Sequence, residues 1–413
     1  MYAIKVSKYS LDRGVMDHKC GISANPPGPC FIDGLDEHIR SALPASTTSE
    51  SSLNPGDVIE IQGLAGSGKT SLLYFLSMTS ILPFKLMVSY LGNSYEIVLG
   101  GRGKAAVVCD CDGNWNSSRL EHIISTYVHR RVLQTINVES ELELADSDDL
   151  ANDVSPSVPT IVGTSLQHIH IFRPTSSLSF AATLIALPSY HTSSMPDQEI
   201  CMLMIDSMSA FHWPDRWNAD RSALDAQRGA NPPLATHEMP MHRILTALNE
   251  LRQRFGFVTF ITNWSFFPPL SGPTRSAQAQ LTGEETPIYA LQHLPPPYPS
   301  PFSDINPTLL VKQSPNRSIP ILSITHHISL FVKRDSAPRS INTTLEEQEP
   351  KEKIMAYVRT PVTLERDLLA HAPPDPTATA ISPIPRRQSR VFEGRFEFRV
   401  GPDGIIWPPP SEE

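Results

Sequence analysis

The strongest chemical signal in the sequence is the run Gly63-Leu64-Ala65-Gly66-Ser67-Gly68-Lys69-Thr70, a full match to G-x-x-x-x-G-K-[ST]. Its glycines let backbone N–H groups converge on a phosphate chain without side-chain clashes. A helix that starts at the end of such a loop adds partial positive charge. Lys69 is expected to reach the β and γ phosphates, and the Thr70 hydroxyl to ligate Mg²⁺. A second element belongs to the same chemistry. Met202-Leu203-Met204-Ile205-Asp206 is an apolar strand that ends in an acid. Beside a phosphate-binding loop, an aspartate in that place holds the Mg²⁺ shell. The cofactors these residues call for are ATP and Mg²⁺.

Other residues leave alternatives open. Asp110 and Asp112 end a strand two residues apart, a spacing that points side chains the same way on an extended chain. Asp112 is the candidate to polarise an attacking water. The alternatives are a pair of solvated loop acids, or Asp110 capping the next turn. Asn263 and Trp264 end another strand. A polar side chain there can sense a γ-phosphate, but indole only donates, so packing is the favoured role for Trp264. After Asp206, the stretch SMSAFHWPDRWNADR interleaves Phe211, Trp213 and Trp217 with Arg216 and Arg221. Such a mixture anchors protein interfaces or stacks on single-stranded nucleic acid, and plain packing is the third reading. The run GGRG with Lys104 lacks the spacing of a second phosphate loop. His326 and His327 are adjacent and face opposite ways on a strand, so no zinc site is expected.

These residues need elements to position them. DVIEIQG reads as a buried strand before the loop, and TSLLYFLSMTSIL as a helix after it, with Leu72, Leu73, Leu76 and Leu82 as its apolar face and Pro83 as its stop. AAVVCDCD, HIHIFRP, ICMLMID and FVTFITN follow as strands. SSRLEHIISTYVHRR, SLSFAATLIAL and MHRILTALNELRQRFG are the helices between them. Strand and helix alternate throughout, which calls for an α/β fold with a mostly parallel sheet flanked by helices. HHISLFVKR is a further strand. RFEFRVGPDGIIW closes as a C-terminal hairpin that turns at Pro-Asp-Gly and pairs with the main sheet.

Proline marks what falls outside this core. The chain has 39 prolines in 413 residues, roughly twice the usual ~5%. Residues 268–320 hold 12 of them and 336–389 hold eight, so both are expected to be disordered. The division expected is a poorly ordered segment at 1–50, with a short helix near Leu35 to Leu43. A core follows at 51–335, with inserts near 84–103, 139–159, 213–240 and 268–320. A linker at 336–389, in which KIMAYV could form a helical turn, leads to the hairpin at 390–413. The formal charge of −9 speaks against a broad basic surface for nucleic acid. Five cysteines without paired spacing point to a reducing compartment. No apolar signal segment or membrane span is expected.

Taken in order, GDVIEIQGLAGSGKTSLLYFLSMTSILP, VVCDCDGNWNSSRL, IDSMSAFHWPDR, FVTFITN and HHISLFVKR resemble the eukaryotic RecA-like recombinase paralogues. The resemblance implies a RecA-like P-loop core. It also implies a nuclear role in homologous recombination, as one subunit among other recombinase paralogues that assist the recombinase on single-stranded or branched DNA. Active recombinases carry glutamate where Asp112 falls and glutamine where Trp264 falls. On that pattern ATP is bound and turned over weakly. The competing readings are a catalytic DNA-dependent ATPase or strand-exchange recombinase, and an unrelated P-loop enzyme.

Overall fold

A computed structural model of the protein describes residues 27–42, 51–90, 93–140, 157–227, 240–265, 294, 298, 322, 324–333, 353–362, 390–401 and 404–406. The chain begins with α1 (Asp33–Ala42), β1 (Val58–Gly63), α2 (Lys69–Ile81), the hairpin β2 (Lys85–Tyr90) and β3 (Asn93–Val98), β4 (Ala105–Asp110) and α3 (Ser117–Ser140). It continues through α4 (Ser157–Leu166), β5 (Ile169–Phe172), α5 (Ser177–Ser194), β6 (Ile200–Asp206), α6 (His212–Gln227), α7 (Pro240–Phe255) and β7 (Val258–Trp264). The last strands are β8 (His326–Lys333), β9 (Lys353–Val362), β10 (Arg390–Gly401) and β11 (Gly404–Ile406).

The main sheet has nine strands in the order β11-β10-β9-β8-β1-β7-β6-β4-β5. From β8 to β5 every pairing is parallel. From β8 outward through β9 and β10 to β11 every pairing is antiparallel. Parallel strands with helices on both faces are buried on both sides, and β1, β4 and β6 are buried along their whole length. The helices α1 to α4 cover one face, with Leu35, Leu73, Leu76, Ile124, Val128 and Val162 in a single core. Helices α5 and α7 cover the other through Phe180, Leu184, Leu245 and Leu248. This is the mostly parallel, helix-flanked α/β sheet of a RecA-like core, and the C-terminal hairpin extends it. Among the described residues, no helix is long and apolar enough to cross a membrane.

Several local expectations are corrected. KIMAYV lies in β9, not in a helical turn. Short apolar runs are ambiguous by pattern, and here antiparallel partners on both sides decide for the strand. Thus the 336–389 linker contains a central strand, and its other residues lie outside those described. The insert at 84–103 is a hairpin, registered from Lys85↔Val98 to Tyr90↔Asn93. Half of the 213–240 insert is helix α6, and Ser157 opens α4 at the end of the acidic stretch. Pro214 and Pro159 fall in the first turns of these helices, where a missing N–H costs nothing. Helix α2 is buried all round rather than on one face. Of the 268–320 segment, Leu294 and Tyr298 are described, and both are buried. The Tyr298 hydroxyl donates to Glu60 Oε1 at 3.0 Å. Asn263 Nδ2 donates to the same oxygen at 2.6 Å, and His327 Nδ1 lies 2.9 Å from the other. A carboxylate buried in β1 needs such partners, and one of them comes from the proline-rich segment. Helix α1 lies within the expected poorly ordered N-terminal part; residues 1–26 and 43–50 are outside those described.

Helix α1 docks on β9 and β10 through a polar contact. Thr360 Oγ1 lies 3.0 Å from His38 Nε2 and 2.8 Å from His326 Nδ1. Burial, helped by repulsion from His326, lowers the His38 pKa from 6.5 to about 4. The unfolded chain therefore binds a proton below pH 6.5 that the folded chain refuses down to about 4. Stability is full above that window and falls as the pH drops through it. Thermal melts should show the midpoint falling from pH 7 to pH 5, with a shallower fall for His38→Gln; equal slopes would contradict this role.

Candidate functional site

The phosphate-type loop leaves the C-terminal end of β1 and turns into α2. Gly63 is needed for close packing: a Cβ there would overlap the Ser67 hydroxyl and lie 2.9 Å from the Leu330 carbonyl oxygen. Gly68 sits at φ 85°, in the left-handed region that favours glycine. The next residue, Lys69, folds its side chain back into the loop. Its Nζ donates to the carbonyl oxygens of Gly63 at 2.9 Å and Leu64 at 2.7 Å. Burial lowers its pKa to about 8, against the pull of Asp206 and Asp112. Leu64, Ala65 and Gly66 are exposed at the tip of the loop.

Asp206 ends β6 and is buried. Its Oδ2 accepts from Thr70 Oγ1 at 2.8 Å and from Trp115 Nε1 at 3.2 Å. Its Oδ1 accepts from Thr262 Oγ1 at 2.6 Å. Its backbone carbonyl accepts from the N–H groups of Cys111 and Asp112 at 2.7 and 3.1 Å. One residue thus gathers α2, the turn after β4, and β7. Thr70 can turn a lone pair to a cation while its hydrogen stays on Asp206, so the pair suits a Mg²⁺ shell.

Asp110 and Asp112 do not share an environment. β4 ends at Asp110, so the alternation rule stops there. Asp110 accepts from the backbone N–H groups of Asn114 and Trp115 at 2.9 and 3.2 Å, and from Arg173 Nε at 3.0 Å. It is the turn cap, closed off by a cation. Asp112 is close enough to Lys69 of the loop to favour its charged form. Burial and Asp206 raise its pKa, while hydrogen bonds from Ser207 and Trp264 lower it. Trp264 does more than pack. It is 40% exposed, and its Nε1 donates to Asp112 Oδ2 at 3.2 Å.

On α6, Trp213 and Trp217 are 53% and 68% exposed. Arg216 lies 5.9 Å over the Trp213 ring and 3.9 Å from Asp220, and Arg221 is exposed. Phe211 instead packs against the core. The Asp215 carboxylate accepts from Ser177 Oγ at 2.8 Å and fixes α6 to the start of α5. These residues lie on α6, a separate surface element.

Three residues without an assigned role in the sequence reading join the site. Trp115 supplies a donor to Asp206. Arg173 holds Asp110. Arg119 lies 5.0 Å over the Tyr74 ring and donates to Ser71 Oγ at 3.2 Å, beside the start of α2. The signal for Trp115 and Arg119 was their place just after the second strand. Their roles depend on the turn that Asp110 caps.

The two acids should separate in a stability measurement. Asp110→Ala strands two backbone donors and is expected to cost about 1–3 kcal/mol. Asp112→Ala, at the more open mouth, should cost less. Urea denaturation of both variants checks this, and equal losses would contradict the division of roles.

No protein-family model matches the chain. The chain is similar to the "DNA repair protein XRCC2 homolog" of Arabidopsis thaliana, with 28% identity over 181 residues, 40% of this chain and 43% of that protein. It is also similar to the "DNA repair protein XRCC2" of Mus musculus, with 23% identity over 227 residues, 55% of this chain and 63% of that protein. The chain therefore spans 43% to 63% of the length of these curated relatives. Sequence and fold together place its likeness with the XRCC2-type RecA-like paralogues.

Proposed function

We propose that the protein is an ATP-binding recombinase paralogue of the nucleus. It works in double-strand break repair by homologous recombination, as a subunit of a paralogue complex that assists the recombinase on single-stranded DNA. The observation that carries the nucleotide part is the 2.8 Å bond from Thr70 to Asp206 beside a glycine loop with a buried lysine. The loop from Gly63 to Thr70 would hold the phosphates, and Thr70 and Asp206 the Mg²⁺. Bound Mg²⁺ would neutralise phosphate charge. Lys69 would exchange its two carbonyl acceptors for phosphate oxygens.

The repair part rests on the two relatives, each called a DNA repair protein. The exposed Trp213, Arg216, Trp217 and Arg221 supply a surface for a paralogue subunit or for DNA. In this reading ATP acts mainly as a structural ligand, stabilising the folded, partner-competent state by mass action. The second reading is a DNA-dependent ATPase, and the observation in its favour is the Asp112 carboxylate within electrostatic reach of Lys69. Brisk phosphate release stimulated by single-stranded DNA would support the second reading over the first.

Lys69 gives the nucleotide reading a pH signature. Phosphate binding needs the charged amine, and that amine titrates near 8 in the free protein. Affinity for ATP–Mg²⁺ should hold below pH 7.5 and weaken as the pH rises through 8 to 9. Isothermal titration is the check. Lys69→Ala should bind weakly and lose this dependence. Equal affinity in wild type and variant would remove the loop from the mechanism.

A further inference from the structure

Asp112 belongs to a closed circuit of hydrogen bonds. The backbone N–H of Trp264 donates to Ser209 Oγ at 3.0 Å. The hydroxyls of Ser209 and Ser207 are 3.2 Å apart. Ser207 Oγ donates to Asp112 Oδ1 at 3.3 Å. The circuit closes where Trp264 Nε1 donates to Asp112 Oδ2 at 3.2 Å.

Counting hydrogens fixes its direction. Ser207 has one hydrogen and gives it to Asp112, so it accepts from Ser209. Ser209 gives its hydrogen to Ser207, so it accepts from the Trp264 backbone. Both serines are buried, and no bridging water is needed. Each oxygen of the carboxylate receives one donor, and bonds of this kind to an ionised acceptor are the stronger sort. The indole cannot accept a hydrogen from a water molecule. The end of β7 therefore orients a carboxylate and not a water.

We infer that Trp264 is a positioning residue that restrains ATP hydrolysis, by engaging through this circuit both oxygens of the acid that would otherwise take the proton of the attacking water. The inference rests on the nucleotide reading above. In the restrained step, the water oxygen bonds to the γ-phosphorus while the bond to the β–γ bridging oxygen breaks. The bridging oxygen leaves with the electron pair as part of ADP, and the water proton passes to Asp112. A carboxylate that already accepts two hydrogen bonds is a poorer base, and the two donors hold it in one orientation.

The environment agrees. Burial and Asp206 push the Asp112 carboxyl up, with a smaller push from Asp110, while the Ser207 and Trp264 donors pull it down. Lys69 and Cys111 are the other titratable groups that face it. Removing the indole donor should free Asp112 Oδ2 to accept from a water and the side chain to move. Because Trp264 is partly exposed, the change leaves the core intact.

The test uses the full chain. Single-turnover hydrolysis of labelled ATP with Mg²⁺ is followed in wild type and Trp264→Phe, and binding of a non-hydrolysable ATP analogue is measured by calorimetry. Losing one donor to an ionised group should raise the rate by about tenfold. Analogue affinity should stay unchanged. Adding Asp112→Asn should remove the gain. Ser207→Ala breaks the circuit on its other side and should raise the rate in the same direction, so it decides the matter if Trp264→Phe folds poorly. An unchanged or slower rate with analogue binding intact overturns the inference, and so does a gain that survives Asp112→Asn. Failure of the wild type to bind the analogue overturns the nucleotide reading itself, and the inference with it.

Discussion

The site depends on one buried carboxylate. Asp206 sits at the end of a strand buried along its whole length, where an unpaired charge would be costly. Thr70, Trp115 and Thr262 each donate to it. Each comes from a different element, so satisfying the charge also draws those elements together. The start of α2, the turn before α3 and the end of β7 meet around a single side chain. The same residue receives two backbone donors from the turn that carries Asp112. In the proposed nucleotide site, the loop is thereby built against a rigid anchor.

Support for the loop also arrives from far along the chain. The antiparallel strands β9 and β10 extend the sheet past β8 and bring Ile354 and Phe398 against Gly68. Helix α1 rests on the same strands, where Phe396 crowds Gly34 and His38 crowds Gly394. On the opposite sheet face, Glu60 is satisfied by Asn263, Tyr298 and His327. Asn263 and Trp264 are neighbours on β7 that serve different partners: one binds the buried network, the other binds Asp112. The end of β7 therefore joins the loop mouth to the anchored part of the proline-rich segment.

Much of this was legible in the sequence, for identifiable reasons. The phosphate-loop motif is long and demands a strand before it and a helix after it, so β1 and α2 followed from local residues. The alternation of apolar strands with helices marked the parallel sheet and the place of Asp206. Less was legible where tertiary pairing decides. KIMAYV has no strand signature that a short helix lacks, and only its neighbours make it β9. The spacing of Asp110 and Asp112 left a cap at Asp110 and a pair of solvated acids both open, because the end of β4 between them is not visible in residue types. Trp264 looked like a packing residue because its donor has meaning only with Asp112 opposite. Proline content described 268–320 well as a composition, yet gave no sign that Tyr298 would be drawn in to satisfy Glu60.

In the proposed function Asp206 is both the structural anchor and the metal-side acid of a nucleotide site. Titration of ATP into wild type and Asp206→Asn, each with and without Mg²⁺, tests it directly. The amide keeps one acceptor oxygen, enough for Thr70 and Trp115, but loses the charge a divalent cation needs. Wild type should bind ATP more tightly with Mg²⁺ than without it, and the folded variant should bind equally with and without the ion. A variant that keeps the full Mg²⁺ dependence of the wild type would contradict the account.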